Sequence, residues 1–163
     1  MLNMSTTLLG SVLPRRLASG LIAVSFGLTL ALNPVSAPKA DAAVSAIVGV
    51  RAVNVAAHMV GIPYRSGGAS PRSGFDCSGL TSYSYSRVGK RLPRTAQQQY
   101  RATIRISGRS VRPGDLVFFY SGRTVYHVGV YAGKGYMYAA ARAGTRVKKQ
   151  KIWTTKVLYG RVR

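Results

Sequence analysis

The chain has 163 residues, of which 24 are Lys or Arg and only three are acidic: Asp41, Asp76 and Asp115, with no Glu, for a formal charge of +21. A two-carboxylate glycosidase would need to spend nearly every acid on one sugar bond. A carboxylate-rich Ca²⁺ or Mg²⁺ site needs more oxygen ligands than these, and balanced surface ion-pair networks are excluded. Hydrophobic residues make up 47%, enough for a core, and the length suits a single domain. So basic a protein is expected to associate with polyanions, such as nucleic acid, anionic lipid or acidic wall polymers.

The first residues read as an address. Arg15 and Arg16 precede an apolar stretch from Leu17 to Leu32, and a small-residue segment follows that ends Ala40-Asp41-Ala42. A positive start, a short apolar run and an A-x-A site describe a secretory signal. The apolar run is short for a membrane span. Residues 1–42 are therefore expected to be a cleaved signal peptide and 43–163 the working domain, secreted and wall-associated or periplasmic, without a stable membrane span. Cleavage there removes three basic residues (Arg15, Arg16 and Lys39) and Asp41, and leaves a charge of +19.

The periodicity predicts a helix from Ala43 to Val60, with Val44, Ile47, Val50, Val53, Val55 and Met59 on an imperfect apolar face. Gly61 to Tyr64 stops it, and Arg65 to Gly74 is a loop by composition. A second helix is expected from Asp76-Cys77 to about Val88, and a helical turn from Thr95 to Tyr100. The pattern then changes to strands: Leu116 to Tyr120, Tyr126 to Tyr131, and Tyr136 to Ala140 across a Gly133-Lys134-Gly135 turn. Arg146 to Ile152 and Val157 to Val162 are further candidates. Helices followed by an antiparallel sheet make an α+β fold.

Cys77 is the only cysteine, so no intrachain disulfide exists, and a lone thiol in an exported chain is a dimer link or a reactive group. It stands at a predicted helix start, where backbone N–H groups and the dipole favour a thiolate. Asp76 is suited to cap that helix. A thiol nucleophile needs a base on another element. Of the two histidines, His127 lies on a predicted strand with apolar neighbours, whereas His58 reads as a helix-surface residue. One Cys and two His without ligand spacing make no metal site, and no cofactor is implied.

The local sequences carry a resemblance. Gly74-Phe75-Asp76-Cys77-Ser78-Gly79-Leu80 resembles the nucleophile motif of the NlpC family of bacterial cell-wall cysteine peptidases. Gly61-Ile62-Pro63-Tyr64 with Gly67-Gly68, Leu92-Pro93-Arg94-Thr95, Pro113 to Phe119, and His127-Val128-Gly129-Val130-Tyr131 resemble four further motifs of that family, in order, over about Val50 to Val147. The resemblance implies a papain-like fold, with N-terminal helices packed on a central antiparallel sheet. It also implies a secreted, monomeric endopeptidase that hydrolyses peptidoglycan stem peptides at the D-glutamyl–diamino acid bond. Cys77 would be the nucleophile, His127 the base, and Tyr64 a pocket residue near the oxyanion. Asp76 and Ser78 would cap the helix or read a substrate amine. Asp115 is expected to bond its own turn.

One position departs from the family pattern. A third polar residue, commonly His, is expected to hold the base just beyond the hairpin, and here that position is Ala139. Tyr138 is its neighbour but should point to the opposite face. The alternative function is a weakened or inactive homologue that binds and regulates at the wall. A nucleic-acid partner is disfavoured, because no recognition-helix or aromatic-platform motif accompanies the basic residues.

Overall fold

The computed structural model describes residues 37–163. Arg15, Arg16 and the apolar run of the expected signal lie outside them. The first helix, α1 (Ala37–His58), begins earlier than expected and continues through Ala40-Asp41-Ala42. Its segment Ala40–His58 is long and apolar enough to cross a membrane by length and composition. Its C-terminal half packs on the domain, with Ala52 and Ala56 fully buried, whereas Val44, Ile47 and Val50 are exposed. The fully buried positions are thus small residues, while of the expected face Val53 and Met59 are partly buried and pack against the core. Gly49 explains why: a Cβ there would press on the Pro113 carbonyl oxygen at 3.1 Å, and one on Gly114 would collide with the Gly49 backbone. Close approach to the turn before the central strand requires glycine on both sides.

A two-stranded ribbon follows, β1 (Ala69–Ser70) with β2 (Gly74–Phe75). Helix α2 (Cys77–Ser86) starts directly after it, and α3 (Ala96–Ala102) opens on a full capping box between Thr95 and Gln98. The remaining strands are β3 (Ile104–Ile106), β4 (Leu116–Ser121), β5 (Thr124–Gly133), β6 (Tyr136–Ala139), β7 (Lys148–Lys151) and β8 (Val157–Arg161). They form one antiparallel sheet in the order β3-β8-β4-β5-β6-β7. The α+β expectation holds. β3 and the β1–β2 ribbon are additions that short, mixed stretches did not signal.

The period of two sorts the sheet into two faces. Leu116, Phe118, Val128 and Val130 pack with Ala52, Ala56 and Tyr85 of the helices. Val117, Phe119, Met137 and Ala139 form a second cluster on the other face, with Ile152 and Val157. Strand β5 is longer than its partner: pairing with β6 begins at Val130, so residues before it run beyond β6. The N-terminus of α2 meets the sheet at this overhang.

Asp115 builds its turn as expected, accepting from the Arg112 N–H at 2.8 Å, and it also takes two donors from Arg161. Gln99 is fully buried. It accepts from Thr81 Oγ1 at 2.7 Å, and its Nε2 lies 2.9 Å from the Ser78 carbonyl, Ser82 Oγ and the Pro93 carbonyl. This one side chain ties α3 and the Leu92–Thr95 loop to the first turns of α2.

Candidate active site

The backbone around Cys77 is set by contacts that only glycine permits. A Cβ on Gly79 would collide with the Gly68 carbonyl oxygen, and one on Gly68 with the Gly74 carbonyl. The ribbon therefore lies directly on the first turn of α2. Asp76 caps that turn, accepting from the Gly79 N–H at 2.7 Å. The same carboxylate accepts from the Gly67 N–H at 3.0 Å, from Ser78 Oγ at 3.3 Å, and from Arg94 through Nη1 at 3.0 Å and Nη2 at 2.5 Å. Burial pushes the Asp76 carboxyl up, but Arg94 and the two N–H groups outweigh it and hold the group below its usual value. Ser78 Oγ in turn accepts from Arg94 Nη1 at 3.0 Å. Asp76 and Ser78 are thus bound into a cap network with Arg94.

A cleft of about 480 Å³ opens beside this turn. Tyr64, Cys77 and His127 line it together, with Tyr126, Arg142, Lys148, Gln150 and Trp153 among the remaining walls. Asp76 and Ser78 are not part of this wall, nor is Ala139, which is fully buried in the sheet cluster. Tyr64 is held by its N–H to the Thr145 carbonyl at 2.8 Å and by a bridge to Phe75. His58 stands apart at the end of α1, exposed, with Nδ1 2.7 Å from the Asn54 carbonyl.

The thiol is partly buried, and burial pushes the Cys77 pKa up. The Asp76 charge adds to that rise, while the N–H groups of Val128 and Ser78, which point at the sulfur, oppose it. The expectation that the helix start alone favours a thiolate is corrected: desolvation outweighs it. His127 is 5% exposed. Burial pushes its pKa down to about 4, so the ring is neutral near pH 7. The resting pair is therefore a neutral thiol beside a neutral imidazole. The ring packs against a stacked pair, tilted to Phe119 at 5.3 Å and to Trp153 at 5.4 Å, with Trp153 stacked on Phe119 at 4.1 Å. Its Nε2 is buried without a hydrogen-bond partner. Ala139 offers none, and Tyr138 packs on the opposite face of the sheet.

Gln150, Trp153, Arg142 and Lys148 were not singled out from the sequence. They lie on β7 or in the loops flanking it, and which of their side chains face the cleft depends on a strand register that composition does not fix. Arg94 was visible only as part of a motif. Among the described residues no cluster of His, Cys and Asp is suited to hold a metal ion.

A helix-start thiol and a strand imidazole sharing one cleft, over an antiparallel sheet, define the papain-like class of fold. Residues 61–162 match the NlpC/P60 family, and the chain belongs to it. It is 42% identical over 109 residues to the bifunctional muramidase/DL-endopeptidase CwlT of Bacillus subtilis, covering 63% of this chain and 33% of that one. It is 46% identical over 102 residues to the murein DD-endopeptidase MepH of Escherichia coli, covering 60% and 38%. The chain thus spans between a third and two fifths of the length of these relatives. Among solved structures, the NlpC/p60 domain of the peptidoglycan hydrolase SagA aligns with a TM-score of 0.64 at 34% identity, covering 71% of this chain and 98% of that domain. The peptidoglycan hydrolase RipB of Mycobacterium tuberculosis aligns with a TM-score of 0.64 at 27% identity, covering 74% and 67%.

Proposed function

We propose that the protein is an extracytoplasmic cysteine endopeptidase that hydrolyses stem peptides of peptidoglycan, with Cys77 as nucleophile and His127 as base. The observation that carries this reading is the meeting of Cys77, His127 and Tyr64 in one cleft. Because both partners are neutral at rest, the imidazole takes the thiol proton as the sulfur attacks the scissile carbonyl carbon. The charge that develops on the carbonyl oxygen faces the N–H of Cys77, a first-turn donor that no helix carbonyl can satisfy. The Tyr64 hydroxyl is the second group suited to that oxygen. As the C–N bond breaks, the leaving amine takes its proton from the imidazolium. Water then hydrolyses the thioester, giving one proton to His127 and returning the thiol.

The cleft also supports a choice of substrate. Its charged walls are Arg142 and Lys148, and no carboxylate lines it. Such a wall favours a peptide with an anionic group beside the scissile carbonyl, as D-glutamate presents through its second carboxylate. The relatives are named for both DL and DD bonds, so kinship does not choose between them. The D-glutamyl–diamino acid bond is our reading. Digestion of purified peptidoglycan, with mass spectrometry of the released fragments, tests it. The expected products carry a new carboxyl end on D-glutamate and a new amino end on the diamino residue. Fragments cut only at other bonds would refute the bond assignment. A complete lack of fragments would favour instead a wall-binding homologue, the reading that Ala139 invites.

A further inference from the structure

The Nε2 of His127 is buried without a hydrogen-bond partner, position 139 is alanine, and the Asp76 and Asp115 carboxylates are each paired with an arginine. A base that must meet a thiol within hydrogen-bond reach still needs a fixed ring. Packed rings supply what polar groups do not. Phe119 stands directly opposite His127 in the register of β4 and β5, so the two side chains share one face. Their centroids lie 5.3 Å apart, and Phe119 is fully buried, which makes it a fixed floor.

Trp153, the single tryptophan, reaches the same place from the connection between β7 and β8, residues 152–156. β7 is an edge strand and β8 lies beyond β4, so this connection has to pass β6, β5 and β4. Ile152 and Val157, at its two ends, pack with Val117, Phe119, Met137 and Ala139, which lays the connection on that face of the sheet. Its start is fixed by the Ile152 N–H, which donates to the Gly135 carbonyl at 2.9 Å. The indole stacks on Phe119 with 15° between the planes and is tilted to His127 at 43°. Aromatic pairs in such arrangements prefer one geometry, beyond the area they bury. Trp153 lines the cleft and is 51% exposed, so the covered part of the ring is the part turned to Phe119 and His127.

We infer that Trp153 is the positioning residue of this site: its indole, seated on Phe119, holds the His127 ring by packing and keeps water from it, in place of the polar group that position 139 lacks. The inference rests on the reading of Cys77 and His127 as the reacting pair. Close-packed neighbours restrict the rotation of the imidazole and add no charge. The shielding agrees with the lowered pKa of His127, for which burial is the cause. The titratable and charged groups that line the cleft with the ring are Cys77 from α2, Tyr126 from β5 itself, Lys148 from β7, and Tyr64 and Arg142 from loops; none is a carboxylate.

The test combines NMR with kinetics. One tryptophan and two histidines make each ring assignable. In the wild type, nuclear Overhauser contacts should join the His127 ring protons to the Trp153 indole, and His127 should titrate near pH 4. Trp153→Ala opens the ring to water, so its titration should move up by at least about one pH unit, toward the ordinary 6.5. On a stem peptide at about pH 8, where the ring is neutral in every variant, Trp153→Ala should lower kcat by about tenfold or more, because a loose ring is misplaced for proton transfer. Trp153→Phe keeps a flat cover and should restore most of both readouts. A rise in KM alone, with the titration and kcat unchanged, would make Trp153 a substrate wall only and overturns the inference. So does either readout moving without the other. If Trp153→Ala does not fold, the wild type decides, and a lack of contact between the two rings overturns the inference. Full activity in Cys77→Ala would sink the nucleophile assignment instead, and the ring contacts and titration would still report on Trp153.

Discussion

The chemistry of the pair follows from burial. With its pKa pushed down to about 4, His127 can act as a base over most of the acid range, whereas an ordinary imidazole is half protonated near pH 6.5. The acid limb of kcat/KM, which reports the free protein, should therefore fall near pH 4; a limb near 6.5 would show that the ring is solvated. Stability should carry the same signature. The unfolded ring takes up its proton near 6.5 and the folded ring only near 4, so the unfolded state binds more protons between these values. Thermal stability should decline as pH falls through that window, and less in a His127→Gln variant, if that variant folds. The Cys77 thiol, pushed up by burial, should react slowly with iodoacetamide at pH 7 and faster as pH rises beyond 9. Fast alkylation at pH 7 would mean that the N–H groups of Val128 and Ser78 outweigh desolvation after all.

At the scale of elements, the site depends on backbone approach as much as on side chains. Gly79 lies under the Gly68 carbonyl, so Gly79→Ala should force the ribbon off the first turn of α2 and displace Cys77. The expected outcome is a loss of activity with a smaller loss of melting temperature, since the sheet core is remote from that contact. Gln99→Leu should do the reverse in proportion. It removes four hydrogen bonds, although the Thr81 hydroxyl keeps the Ser78 carbonyl and the Pro93 carbonyl keeps Ser82 Oγ, so the loss is about 0.5–1.5 kcal/mol for each bond removed. Denaturant unfolding would measure it, and an unchanged midpoint would contradict the account. These elements differ in how far they could be read from the sequence. The helix at Cys77, the strand at His127 and the turn at Asp115 each carry a local signal: a cap, an alternation, a Pro-Gly-Asp. The packing of α1 does so only in part: Val53 and Met59 of the expected face reach the core, but its fully buried positions are Gly49, Ala52 and Ala56. Gln150 does not, since it sits in a strand of lysines and reaches the cleft wall only through the register of β7 on β6. Local chemistry is written locally, whereas the walls around His127 are a long-range fact.

Over the whole molecule, charge and catalysis are divided between regions. Two of the three acids are spent: Asp76 on Arg94 at the cap, and Asp115 on Arg161 at the turn. The basic surplus is left to act outward, and the cleft itself presents Arg142 and Lys148. We expect this charge to hold the protein on anionic wall polymers, with retention that weakens as salt is raised, since exposed charges are screened beyond about 8 Å at 0.15 M. Equal retention at low and high salt would remove charge as the cause. The central claim, however, is that Cys77 is the nucleophile of a peptidoglycan endopeptidase. It is tested most directly by the hydrolysis rate of a defined stem peptide with the wild type, Cys77→Ala and Cys77→Ser. The account predicts measurable cleavage by the wild type and a fall of at least about 10³-fold in both variants with the fold unchanged by circular dichroism. Cleavage by Cys77→Ala within twofold of the wild-type rate, or no cleavage by the folded wild type, would contradict it.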